Sequence, residues 1–222
     1  MASTDTKDYT YPFFAKEGWP FIGLSIGTLF FSLFFGLQEL AVAFVLISLF
    51  ILQFFRDPKR AGPSDGTAIT SPADGRVIFI GKEIDPLQNS EALKISVFMN
   101  VFNVHSNRSP IEGTVEITDY SSGKFFNADL DKASEFNEKN SILFVDKNGR
   151  KLTCIQIAGL VARRICCYVQ PGDVVQRGSR FGFIRFGSRV DVYLPKNSKP
   201  LVTVGDKISA HSTALAHWPN SL

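Results

Sequence analysis

Arg180–Pro195 reads RFGFIRFGSRVDVYLP: two short apolar runs, FGFIRF and VDVYL, parted by Gly187-Ser188-Arg189. Short runs rich in β-branched and aromatic residues, bounded by glycine or proline, are strand signals. The same texture spreads outward from this stretch across everything after Ala61. Gly and Pro punctuate Gly75–Ile80, Leu93–Phe98, Gly113–Ile117, Ser141–Val145, Leu152–Ala158, Arg180–Arg185 and Val190–Leu194. The pattern predicts an all-β domain over residues 61–222, a barrel or sandwich. The polar, charged stretch Phe125–Asn140 is the one segment expected to be irregular or helical. The lack of βαβ alternation and of a GxGxxG run argues against a dinucleotide-binding fold.

A faint internal echo runs through this domain. GDVVQRG (172–178) is answered by GDKISAH (205–211), and Ala73-Asp74-Gly75-Arg76-Val77 rhymes with Ile111-Glu112-Gly113-Thr114-Val115. Gly-Asp turns repeated between strands suggest two pseudo-symmetric halves, a pattern similar to the barrel-sandwich of lipoyl and biotinyl carriers. Turn chemistry alone also generates such rhymes.

Residues 1–60 are of another kind. Many of the 21 phenylalanines crowd here, and Phe21–Leu37 and Leu40–Phe55 are apolar runs separated by Gln38 and Glu39. A membrane-crossing helix needs about 20 apolar residues, so each run is marginal alone. One long tilted helix would bury the Glu39 carboxylate at a cost of about 3 kcal/mol. The expectation is therefore an α-helical membrane hairpin turning at Gly36–Glu39. A cleaved signal peptide fits poorly, because no basic segment precedes the run and no small-x-small site ends it. Arg56, Lys59 and Arg60 follow directly and place the remaining chain on the cytoplasmic side of the inner membrane.

The formal charge of +3 is dispersed, which argues against nucleic acid as a partner. Cys154, Cys166 and Cys167 make neither a disulfide framework nor a zinc spacing, and they read as buried thiols in a reducing compartment. No metal site is expected.

Chemistry enters at Gly187-Ser188. A serine hydroxyl held in a tight turn can attack the preceding carbonyl, and glycine leaves that carbonyl unhindered. The resulting ester is a leaving group, so elimination and hydrolysis convert the serine into a pyruvoyl group. Such an attack needs a base. Of three histidines, His211 and His217 lie in the C-terminal tail, while His105 lies in the tract Phe98–Pro110. Asp74, in SPADG (71–75), is a candidate to accept the Nδ1 proton of His105 and orient its ring. Taken singly, each has a plainer reading as a turn or surface residue.

Together, SPADG (71–75), VFNVHSNRSP (101–110), KFFNADLDKAS (124–134), ARRI (162–165) and RFGFIRFGSRVDVYLP (180–195) resemble phosphatidylserine decarboxylase proenzymes. FFRDPKR (54–60) is similar to the short, bacterial and archaeal-like branch. The resemblance implies a proenzyme that cuts itself into a large chain, 1–187, and a small one, 188–222, which remain together as a heterodimer. It implies a pyruvoyl cofactor made from Ser188, with no pyridoxal phosphate, and a Schiff base to the amine of phosphatidylserine. It assigns Ser188, His105 and Asp74 to the self-cleavage triad. Longer members carry a second histidine where Arg108 stands, and many have Asp where Asn103 stands. Arg185 and Arg189, and behind them Arg163 and Arg164, are candidates for the lipid phosphate or carboxylate.

Competing readings are the same chemistry on another serine lipid, such as archaetidylserine, and two binding modules. A carrier domain would be modified on Lys207, whose flanks Asp206 and Ile208 lack a Met-Lys-Met context. An adaptor would be a hairpin presenting an unmodified barrel.

Overall fold

The computed structural model describes residues 12–65, 67–123, 137–159, 164–185 and 188–219. The chain divides into two units, Thr10–Lys59 and a second one from Arg60 to Leu222.

The first unit is a helical hairpin. A 3-10 turn at Lys16–Gly18 runs into α1 (Trp19–Phe34), and α2 (Gln38–Phe54) packs back against it. Pro20 sits in the first turn of α1, where its missing N–H costs nothing. Gly36 takes φ +68° in the connection, a conformation open to glycine. Glu39 falls in the first turn of α2 and is exposed, so the carboxylate that a single span would have buried meets the positive end of a helix. Ser25, Ser32, Ala41 and Ser48 are the small buried residues of the two helices, the type that lets backbones approach closely. The open end is tied by Ala15 N–H donating to Phe55 O and Asp57 N–H to Phe13 O. Among the described residues one helix, Lys16–Phe34, is long and apolar enough to cross a membrane; α2 is shorter.

Among the described residues the second unit has fourteen strands, beginning with β1 (Ile69–Thr70), β2 (Gly75–Asp85), β3 (Ser90–Met99), β4 (Ser106–Arg108), β5 (Gly113–Ser121), β6 (Lys139–Val145) and β7 (Lys151–Ala158). They continue as β8 (Arg164–Cys167), β9 (Val174–Val175), β10 (Arg180–Arg185), β11 (Ser188–Pro195), β12 (Lys199–Pro200), β13 (Lys207–Ile208) and β14 (Ala214–His217). Eight form one antiparallel sheet curled into a half-barrel, in the order β13-β2-β3-β11-β7-β6-β5-β9. Two three-stranded sheets, β4-β10-β8 and β1-β14-β12, complete the unit. The core is the inner face of the curl, where Ile95, Val97, Met99, Cys154, Val190, Val192 and Leu194 are buried with Phe144 and Phe181. Each such side chain contributes roughly 1.5–3 kcal/mol on burial.

The sequence echo is structural. β13 pairs with the start of β2, and β9 pairs with the start of β5. Val77 N–H donates to Asp206 O and Val77 O accepts from Gly205; Val115 stands in the same relation to Asp173 and Gly172. A Cβ on Gly75 would lie 2.1 Å from Phe98 O, and one on Gly113 would lie 2.2 Å from Val145 O. The register slips just after Val77 in one ladder and just after Val115 in the other. The sheet is thus two copies of one motif, β13-β2-β3-β11 and β9-β5-β6-β7, meeting where β11 lies against β7.

Two expectations need correcting. The predicted excursion at Phe125–Asn140 is strand at its end, since Lys139 and Asn140 open β6; residues 124–136 lie outside the described residues. Of the three cysteines only Cys154 is buried, while Cys166 is half-buried and Cys167 exposed. The latter two sit on β8, a short edge strand with a partner on one side only.

Candidate active site

Ser188 opens β11, the central strand of the sheet, flanked by Met99 at the end of β3 and Ala158 at the end of β7. Alternation turns Ser188 inward with Val190 and Val192, so the side chain is fully buried and its hydroxyl donates to the Met99 sulfur at 3.3 Å. Gly187 lies outside the described residues.

His105 is tied to β10, the strand that precedes Ser188 in sequence. It precedes β4, and its carbonyl accepts from Ile184 N–H in β10, four positions before Ser188. The loop Asn100–Val104 therefore joins Ser188's strand partner to His105, while residues 185–187 join His105's partner to Ser188. His105 thus stands six residues after Met99, the strand partner of Ser188, and its own partner Ile184 stands four residues before Ser188. Asn100 and Asn103 build the loop: Asn103 Oδ1 accepts Asn100 N–H at 2.9 Å, and Asn100 Oδ1 accepts Phe102 N–H at 2.9 Å. This turn presents the Asn103 carbonyl to His105 Nδ1 at 3.0 Å. In the neutral ring, Nδ1 donating to this carbonyl would leave the lone pair on Nε2, the tautomer a general base needs. His105 is fully buried, its ring 6.3 Å from that of Phe183.

Asp74 holds other partners. One carboxylate oxygen lies 2.6 Å from Arg60 Nη2, and the other accepts Ala210 N–H at 2.8 Å. The residue is buried beside the C-terminal segment. In this state the Asn103 carbonyl occupies the role at Nδ1 for which Asp74 was the candidate. Asp74 stays tied to the histidine loop through the backbone, since Pro72 O accepts from Arg108 N–H. Arg108 is buried and donates to Gly178 O.

Among the arginines, Arg189 points to the face opposite Ser188. It is buried against Asp191, with Nε–Oδ1 at 2.8 Å and Nη2–Oδ2 at 3.1 Å. A paired and buried guanidinium is poorly placed to meet a lipid phosphate. Arg185 is half-buried and pairs across the ladder with the exposed Arg164; Arg163 lies outside the described residues.

His211 takes φ +64°, and its ring fills the space between Gly62 and Gly178. Burial, with Arg177 and Arg108 nearby, holds its pKa below the usual histidine value. His217 lies 3.5 Å from Asp65 in an exposed pair. Among the described residues no group of three or more His, Cys, Asp or Glu could hold a metal.

What the residue types did not announce are Met99 beside Ser188, with Asn107 and Gln156 behind it, and the Asn103 carbonyl at His105. The only sequence signal was amides inside apolar runs, Gln156 in CIQIA and Asn140 before SILF. A cleft of about 510 Å³ lies elsewhere, at the β6–β7 turn, lined by Asp146, Arg150, Arg177 and Trp218 among others. It sits at the opposite end of β7 from Ala158, the residue beside Ser188.

The phosphatidylserine decarboxylase family model matches residues 47–216. A phosphatidylserine decarboxylase proenzyme of Ralstonia pickettii is 54% identical over 209 residues, 94% of this chain and 97% of its own length. One from Burkholderia mallei is 52% identical over 212 residues, covering 96% and 98%. With the match spanning the sheet, the histidine loop and the Ser188 strand, the chain belongs to the phosphatidylserine decarboxylase family.

Proposed function

We propose that this chain is a proenzyme that cuts itself between Gly187 and Ser188 and then decarboxylates phosphatidylserine to phosphatidylethanolamine and CO₂. The observations that carry the reading are a fully buried Ser188 opening its strand and a fully buried His105 whose Nδ1 meets the Asn103 carbonyl.

The cleavage balances on the chain's own atoms. Ser188 Oγ gives its proton to His105 and bonds to the Gly187 carbonyl carbon; the C–N bond breaks and its nitrogen takes the proton. Loss of the Cα proton then breaks the Cβ–Oγ bond. Gly187 leaves as a carboxylate, carrying Oγ away, and residue 188 is left as an enamine. Water adds at Cα and ammonia departs, giving the pyruvoyl ketone. The site fits that group: position 188 is buried and its hydroxyl donates to a thioether sulfur, while His105 is buried on the segment that leads from Met99 to β4. A pyruvoyl group at position 188 would supply an electrophilic carbonyl for the substrate amine and a sink for the electrons that departing CO₂ leaves behind. His105 then holds the proton that returns to Cα.

The two products are a large chain, 1–187, and a small chain, 188–222, held together because β11 lies between β3 and β7 of the large chain. Residues 1–60 serve as the membrane anchor, with Arg56, Lys59 and Arg60 keeping the β-domain on the cytoplasmic side. The test is CO₂ release from phosphatidylserine in mixed micelles, with serine lipids of other tails in parallel. The reading expects release from the wild type and none from Ser188→Ala; a cleaved wild type that releases no CO₂ from any serine lipid overturns it.

A further inference from the structure

Behind Ser188 runs a polar chain that the chemistry above does not use. Asn140 Nδ2 donates to Gln156 Oε1 at 2.9 Å, and Gln156 Nε2 donates to Asn107 Oδ1 at 2.8 Å. Asn107 Nδ2 faces the Met99 sulfur at 4.0 Å, and Ser188 Oγ donates to that same sulfur at 3.3 Å. All five side chains are at most 3% exposed. The chain crosses from β6 through β7 to β4 and ends on β3 and β11, so it links the large sheet to the small one at the serine. Gly182 on β10 makes room for it: a Cβ there would lie 2.5 Å from Gln156 Nε2. Buried carboxamides in an apolar core persist when each donor meets an acceptor. Here every amide points the same way, toward Met99.

We propose that Met99 and the carboxamide chain Asn107–Gln156–Asn140 are positioning residues for self-cleavage, holding Ser188 Oγ in place in the uncleaved protein. A thioether is a weak acceptor. It orients the hydroxyl without competing with a base for its proton, as a carbonyl or carboxylate in that position would. Asn107 steadies the sulfur from its other side, and Gln156 and Asn140 fix Asn107. Since Oγ departs with Gly187, the device has no hydroxyl to hold in the mature enzyme, and its effect belongs to maturation. The inference rests on the self-cleavage reading given above.

The test follows cleavage of newly made full-length chains over time, together with thermal melting and CO₂ release per pyruvoyl group. Met99→Leu keeps the volume and removes the acceptor; cleavage should slow about tenfold, the rate equivalent of one hydrogen bond. That fall should exceed any fall in turnover per pyruvoyl group. Asn107→Asp keeps the acceptor for Gln156 but replaces the donor facing the sulfur, and should slow cleavage in the same direction. In a Ser188→Cys background, where the thiol is a poor donor, Met99→Leu should slow cleavage less than twofold. The proposal is overturned if both variants cleave at the wild-type rate, or if the serine and cysteine backgrounds slow equally. Ser188→Ala guards the premise: a chain still cut at that junction removes the self-cleavage reading itself rather than only the role of Met99.

Discussion

The two halves of the large sheet are one motif used twice, and they differ most where strands β3 and β6 end. In one half β6 runs through the turn Asp146–Arg150 straight into β7, with Asp146 N–H donating to Arg150 O and an Asp146–Arg150 ion pair at 2.6 Å. In the other, β3 ends at Met99, and the strand in the equivalent place, β11, begins at Ser188. Everything from Asn100 to Gly187 is inserted between them, including the whole second half. Arg150 and Ser188 therefore occupy matching positions, one in a closed hairpin and the other buried at the start of β11. The same place in the motif is a closed turn in one half and the candidate site in the other.

The largest effects should separate the two corners. His105→Ala removes the base and should slow cleavage by about 10²–10⁴-fold, read from the ratio of whole to cut chain over time. Arg150→Ala, at the matching corner, should leave that ratio unchanged. The matched glycines come next. Gly75→Ala and Gly113→Ala each drive a Cβ into a neighbouring carbonyl, at a cost of roughly 1–3 kcal/mol in chemical denaturation. Equal losses would support the duplication, and a loss confined to one glycine would break it.

A smaller effect should come from His211, whose pKa is depressed by burial. A histidine with a folded-state pKa below its unfolded value contributes stability that is present above the unfolded value, near 6.5, and is lost as pH falls through the folded one. Melting temperature should therefore drop with acidification below about pH 6.5, and His211→Gln should flatten that slope. The smallest is the Asp146–Arg150 pair. Burial pushes the Asp146 carboxyl up, but the Arg150 side-chain and backbone bonds outweigh it, and the pKa is lowered. Breaking this partly exposed pair should cost less than about 1 kcal/mol.

The all-β reading was legible because strands announce themselves through short runs and breakers; Arg180–Arg185 has the same bounds in the structure. The Gly-Asp echo was also legible, since turn residues recur wherever the backbone repeats. Less visible were strands of two to four residues, such as β4 and β8, which are too short to show a period. The partners of Ser188 were hidden for another reason: Met99 is brought opposite it by strand pairing across a long insertion, and no local pattern encodes that register. His105 could be picked out as a histidine, but its Nδ1 partner is a backbone carbonyl, which any residue type supplies.

The central claim is that the opened corner cuts itself at Ser188, and intact mass spectrometry of the purified protein tests it most directly. The account predicts two species, residues 1–187 and 188–222, the smaller lacking a free amino terminus and carrying the mass of a pyruvoyl group. A single full-length chain in a preparation that releases CO₂ from phosphatidylserine would contradict it.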